Sequence, residues 1–268
     1  MGAGAPPAAG ALAVRVGTAA ALLAGLLAAL FLLPQAAFAV VVAAVLLLAG
    51  AEWARLCGLG QGVAWAYAGS VVLAYAAWAY AGRVDLAFGL SALFWIAVVP
   101  AWLGRGVGAR QTPWLSLAGF PVLVPAGLAM IALRPGELLL VLGGVWIADT
   151  AAYFTGRAWG RRKLAPSISP GKTWEGAIGG VAGVLAYAAI CGLLAGEVRW
   201  AILVGAAALL AVLSIYGDLF ESALKRQAGR KDSGTLLPGH GGVLDRVDSA
   251  TAALPLAALA LPWIVGGD

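Results

Sequence analysis

The sequence predicts an all-α fold, a polytopic integral membrane helical bundle of about nine transmembrane helices. Three observations predict it. Of 268 residues, 62% are apolar and only 11% are charged. The mean hydropathy of +0.94 lies outside the range of an ordinary soluble domain. Apolar stretches of about 18 or more residues recur along the chain, with no long polar linker between them. Strands are not expected, because open sheet edges cannot lie in lipid and no outer-membrane dyad alternation is present.

Residues 1–13, opening Gly-Ala-Gly-Ala-Pro-Pro, read as a short disordered tail. Arg15 followed by an apolar run and Ala37-Phe38-Ala39 resembles a signal peptide and its cleavage site, but the run continues to Gly50. One helix over 14–50 would be about 55 Å long, too long for a single crossing. Leu33-Pro34-Gln35 therefore reads as a turn between helices 14–33 and 36–55. Further spans are expected at 62–81, 86–103, 114–133, 137–155, 174–195, 200–221 and 249–266. These divide into N-terminal membrane helices (14–140) and a C-terminal catalytic region (141–268) with polar loops.

The distribution of cations sets the topology. With the N-terminus in the cytoplasm, fourteen of the 17 Lys and Arg residues fall on the inner side, and only Arg83, Arg134 and Arg199 fall outside. Nine spans then place the C-terminus outside. The net charge of +5 fits an anionic membrane surface or anionic substrates, and no basic domain suggests nucleic acid. Cys57 and Cys191 read as packing thiols. The spacings Gly176/Gly180 and Gly179/Gly183 suit either a dimerisation face or close packing inside one bundle.

Three polar clusters interrupt this apolar chain. In the first, Asp149 and Tyr153 stand one helical turn apart, and Asp149 lies inside an apolar span. A carboxylate there is costly and needs a partner, either a functional one or a helix–helix hydrogen bond. In the second, Ser167-Ile-Ser-Pro-Gly-Lys172-Thr precedes a helix. Pro166 stands where a Walker A loop needs its first glycine, so that motif fails. A turn entering a helix still exposes free amides, and Lys172 adds a point charge. Phosphate binding and an ordinary cytoplasmic loop are both compatible with it.

The third cluster is the densest. Asp218 and Glu221 are spaced i,i+3, as are Asp245 and Asp248 across Arg246. Two such pairs facing each other form an oxygen-ligand site suited to Mg²⁺. Between them lie Lys225, Arg226, Lys231, Asp232 and the tight turn Leu237-Pro-Gly-His240-Gly-Gly242. A solvated positive-inside loop accounts for the cations, but not for aspartates that continue into an apolar segment.

The run Ser222-x-Leu-Lys225-Arg226-x4-Lys231-Asp232-x-Gly234-x2-Leu237-Pro238-x-His240-Gly241-Gly242-x2-Asp245-Arg246-x-Asp248 resembles, without a gap, the signature of the phosphatidate cytidylyltransferases. The segments around Ser167–Gly176 and Asp149–Gly156 are similar to that family too. The likeness covers about residues 146–250, while the first 140 residues match only as generic membrane helices.

The resemblance implies transfer of CMP from CTP to phosphatidic acid, giving CDP-diacylglycerol and pyrophosphate. It also implies Mg²⁺ dependence, with room for a second cation, and a homodimer in the cell (inner) membrane whose active site faces the cytoplasm. On that basis Asp218 and Asp245 are the expected principal metal ligands, with Asp248 bound directly or one shell out. Lys225, Arg226, Lys231 and Arg246 would hold triphosphate or lipid phosphate, as would Lys172 with Ser167. Asp232 joins the substrate-binding set, and Asp149 would orient a cation or a second metal. His240 is a general acid, a phosphate donor or a loop brace.

A CTP-dependent polyprenol or phytol kinase would share much of this apparatus. Its neutral alcohol acceptor would need a base and fewer cations. A transporter would place its charges near mid-membrane and carry internal repeats, whereas here the charges gather on one side.

Overall fold

The computed structural model describes residues 9–108 and 111–265. Its helices are α1 (Ala9–Leu32), α2 (Gln35–Leu56), α3 (Gln61–Ala81), α4 (Val84–Leu93), α5 (Val99–Arg105), α6 (Thr112–Ala132), α7 (Pro135–Trp159), α8 (Trp174–Ala195), α9 (Trp200–Gln227) and α10 (Leu244–Ile264). A π-helical turn, Phe94–Val98, fuses α4 and α5 into one span, Val84–Arg105. Among the described residues nine helices are long and apolar enough to cross a membrane. The expected bundle is therefore present, and its span borders agree closely except around the polar clusters.

The differences are informative. Helix α1 begins at Ala9, earlier than expected, and residues 1–8 of the expected tail lie outside the described residues. Helix α9 continues past 221 to Gln227, and α10 starts at Leu244 rather than 249. Charge density suggested loops there, but ion pairing between neighbouring helices keeps both segments helical. Strands were not expected, yet β1 (Lys163–Ala165) and β2 (Ser169–Thr173) pair antiparallel between α7 and α8. The hairpin joins two spans, so its edges need no partner in lipid.

Prolines inside helices mark where neighbours must intervene. Pro125 has no N–H for the carbonyl of Pro121, four residues before it in α6. The Ser91 hydroxyl of α4 donates to that carbonyl instead, at 2.9 Å. Trp53 Nε1 donates to Leu115 O at 2.8 Å, and Tyr67 hydroxyl to Ser116 O at 2.6 Å, fastening α2 and α3 to α6. Around Phe220, the rings of Trp53, Phe94, Trp95 and Trp102 pack with centroid separations of 5.5–6.1 Å. They bind the N-terminal helices to α9.

The glycine spacings serve packing within the chain. A Cβ on Gly176 would lie 2.8 Å from Ala152 O, and one on Gly180 would lie 3.0 Å from Ala148 O. Helices α7 and α8 thus touch backbone to backbone. At Gly217 a Cβ would lie 2.5 Å from Asp248 O, so α9 and α10 make a similar close approach beside the acidic residues. Both cysteines are free thiols. Burial pushes Cys57 up to about 11, which suits an inert packing residue.

Candidate active site

The polar clusters converge at one end of the bundle. They line a cavity of about 650 Å³ walled by α7, the hairpin, α8, α9 and α10. Each element delivers its residue for a local reason. Asp149, Tyr153 and Arg157 share one face of α7, and Arg157 Nη1 donates to the Tyr153 hydroxyl at 3.2 Å. Lys172 projects from β2 and forms a salt bridge with Asp218 of α9. The other Asp218 oxygen accepts from Ser222 Oγ at 3.1 Å. Thr173 caps α8, its hydroxyl accepting from Gly176 N at 3.1 Å. Glu175 turns back to accept from the amides of Arg161 and Arg162, which fixes the base of the hairpin.

Lys225 is the hinge of the charge network. Its ammonium lies 2.8 Å from Glu221 Oε2 and 2.7 Å from Asp245 Oδ1, so two aspartate and glutamate side chains of adjacent helices share one cation. Asp245 Oδ2 accepts three hydrogen bonds, from Ser233 N (2.9 Å), Ser233 Oγ (2.9 Å) and Gly242 N (2.8 Å). These tie the 230–242 loop onto α10. Within that loop Leu237 N donates to Gly241 O and His240 N to Leu237 O, closing the expected tight turn. Gly241 has φ +79°, which other residues rarely adopt.

Among the expected site residues, Asp149, Lys172, Asp218, Lys225, Asp232, Asp245, Arg246 and Asp248 all line this cavity. Ser167 does not, and Ser169 takes its place at the wall. Arg226 turns outward, donating to Ile168 O and Arg230 O at 3.2 Å, where it braces the hairpin against the loop. Lys231 and His240 line a neighbouring cavity instead.

The sequence reading missed Glu52. It is 3% exposed near the end of α2 and accepts from Ser233 Oγ (2.8 Å), Leu244 N (2.9 Å) and Val243 N (3.1 Å). These last two amides belong to the start of α10, which has no side-chain cap of its own. Glu52 therefore caps that helix from across the bundle, placing a carboxylate at its positive dipole end. The available signal was a lone glutamate inside the apolar run Leu-Leu-Leu-Ala-Gly-Ala-Glu52-Trp.

The donor set suits a hard divalent cation. Five aspartates, Asp149, Asp218, Asp232, Asp245 and Asp248, face one cavity, and oxygen ligands of this kind suit Mg²⁺. Beside them Glu221 Oε1 is buried without a hydrogen-bond partner. No three of the described His, Cys, Asp or Glu side chains already stand at ligand geometry. Asp245 brings only Oδ1 toward the cavity network, since Oδ2 is fully engaged by the loop.

Over residues 13–263 the sequence matches the model of the cytidylyltransferase family. A phosphatidate cytidylyltransferase of Pseudomonas aeruginosa is 43% identical over 264 residues, covering 94% of this chain and 97% of that protein. The chain belongs to the cytidylyltransferase family. Proteins of the same name from Haemophilus influenzae and Thermotoga maritima are 50% and 41% identical over 123 and 134 residues. Those matches cover 44% and 48% of this chain, and 43% and 50% of the relatives. Membership extends through α1–α6, whose sequence alone suggested only generic membrane helices.

Proposed function

We propose that this cytidylyltransferase is a phosphatidate cytidylyltransferase, which joins CTP and phosphatidate to give CDP-diacylglycerol and pyrophosphate. The observation that carries the reading is one membrane-end cavity combining five aspartates with Arg157, Lys172, Lys225 and Arg246, in a chain so similar along its length to a protein of that name. The phosphatidate phosphomonoester has a second pKa of about 6 and is largely dianionic at neutral pH. An oxygen of that group attacks the α-phosphorus of CTP, forming the new P–O–P bond. The bond from the α-phosphorus to the β-phosphate bridging oxygen breaks, and pyrophosphate leaves with its electron pair. No side chain needs to remove a proton.

The protein's task is to bring two polyanions together and to neutralise the charge that moves onto pyrophosphate. Asp218, Asp245 through Oδ1, and Asp248 would hold Mg²⁺, with Asp149 of the same cavity orienting a cation. When bound, that ion would polarise the phosphates and offset their charge. Lys172 and Lys225 stand within reach of the same carboxylates, so each can exchange its aspartate partner for phosphate oxygen when nucleotide arrives. The reading also puts the site on the cytoplasmic face of the cell membrane, supported by the bias of Lys and Arg to that side. It includes a homodimer, in keeping with the family resemblance.

The test is a detergent assay with labelled CTP, dioleoyl phosphatidate and Mg²⁺. Lipid-extractable cytidine and pyrophosphate should appear together, and only with both lipid and metal present. Release of CDP with a polyprenol acceptor, and no lipid-linked cytidine, would overturn the assignment in favour of a lipid kinase.

A further inference from the structure

A second cavity, of about 620 Å³, adjoins the first, and Asp232 and Arg246 line both. Its other charged walls are Arg15 of α1 and Lys231, with His240 and the glycine turn between them. Helix α1 touches this place at Thr18, whose hydroxyl lies 2.9 Å from Val14 O in its own turn and 3.0 Å from Pro238 O. Gly239 makes room for it, because a Cβ there would lie 3.1 Å from Arg15 Cγ. Among the described residues no ion pair engages Arg15, Lys231 or Arg246.

The two cavities differ in charge. The first sets four cations against five carboxylates, a balance that suits a triphosphate carried with a divalent cation. The second sets three cations against the single carboxylate of Asp232, which matches a dianion unaided by metal. A phosphomonoester is such a dianion. The position suits a lipid as well: Arg15 lies near the start of the apolar span Ala13–Leu32, whose Leu22, Leu23 and Leu27 are exposed further along the same helix.

We propose that the second cavity binds the phosphomonoester head of the lipid substrate, with Arg15, Lys231 and Arg246 as its counter-charges and Arg246 as the wall shared with the nucleotide. This rests on the proposed function and goes beyond it by assigning the two polyanions to separate cavities. It also gives α1, remote in sequence from every polar cluster, a direct part in substrate binding.

The experiment separates this inference from the reading beneath it. Binding of dihexanoyl phosphatidate, and separately of CTP, is measured by calorimetry on the detergent-solubilised full chain in EDTA, for wild type, Arg15→Gln and Arg15→Lys. Wild type should bind the lipid without metal. Arg15→Gln should weaken it about tenfold or more, the usual scale for one lost charge-assisted contact. Arg15→Lys should recover part of that. In turnover with Mg²⁺, Arg15→Gln should raise KM for phosphatidate and leave KM for CTP unchanged. Unchanged lipid binding in Arg15→Gln would overturn the inference, as would a defect confined to CTP, which would make this the triphosphate site. Lipid binding that depends on Arg15 in a protein without cytidylyl transfer would uphold the site and sink the proposed function alone.

Discussion

Glu52 of α2 accepts a hydrogen bond from the amide of Leu244, the first residue of α10, at 2.9 Å across 192 positions of sequence. This contact makes the N-terminal half of the bundle part of the active-site scaffold. Through Ser233 it continues to Asp245 and from there to Lys225 and Glu221, so one hydrogen-bonded path crosses α2, the 230–242 loop, α10 and α9.

Replacing Glu52 by alanine should therefore disturb the site without touching substrate. The change strands the buried Leu244 amide and the half-buried Val243 amide, at about 1–3 kcal/mol for a buried group left unpaired, and leaves the Ser233 hydroxyl with Asp245 Oδ2 as its one acceptor. A lower melting temperature in detergent and a large fall in kcat are expected. Glu52→Gln should fall between, because one end of its amide presents N–H where the loop offers only donors. A Glu52→Ala protein with wild-type melting and turnover would show that the cap is dispensable.

Gly241→Ala tests the same loop from the other side. At φ +79° an added Cβ is strained by about 1–2 kcal/mol, and it would lie 2.6 Å from Asp245 Oδ2. The Cβ displaces the oxygen that holds Ser233 N and Gly242 N. Turnover should drop by at least about tenfold, with faster proteolytic cutting in the loop. Gly234→Ala should behave alike, since its Cβ would collide with the Glu52 carboxylate.

The sequence showed the spans because apolar length is a local property, read from one stretch at a time. It also showed Asp149, Lys172, Lys225, Asp218, Asp232, Asp245 and Asp248, since charges are conspicuous in a chain where 11% of residues carry them. Three features were not legible. The ends of α9 and α10 depend on ion pairs between helices, such as Lys225 with Asp245. The hairpin depends on Glu175 reaching back to Arg161 and Arg162. Glu52 and Arg15 lie far from the polar clusters, and only the packing of α1 and α2 against the 230–242 loop brings them in.

Topology gives a prediction independent of chemistry. Arg199 N donates to Ile264 O at 3.0 Å, so the start of α9 and the end of α10 share the end of the bundle opposite the cavity. A reporter fused after Asp268 should therefore lie on the side away from the site, outside the cell if the site faces the cytoplasm. Reporting from the same side as a tag in the 230–242 loop would remove one span.

Asp218→Asn and Asp245→Asn should each lower turnover by orders of magnitude while the protein still inserts, but for separable reasons. Asp218 meets Lys172 and Ser222 at the cavity wall, and its loss removes charge with few structural bonds. Melting temperature and loop proteolysis should stay close to wild type. Asp245 holds Lys225 with one oxygen and three loop donors with the other, so an asparagine there must turn its N–H₂ toward one set of donors. That variant should lose stability and loop protection together with activity. Near-normal turnover in either variant would refute the proposed metal ligands. Identical melting of the two would refute a division of roles in which Asp218 serves the substrate and Asp245 serves both the substrate and the loop that encloses it.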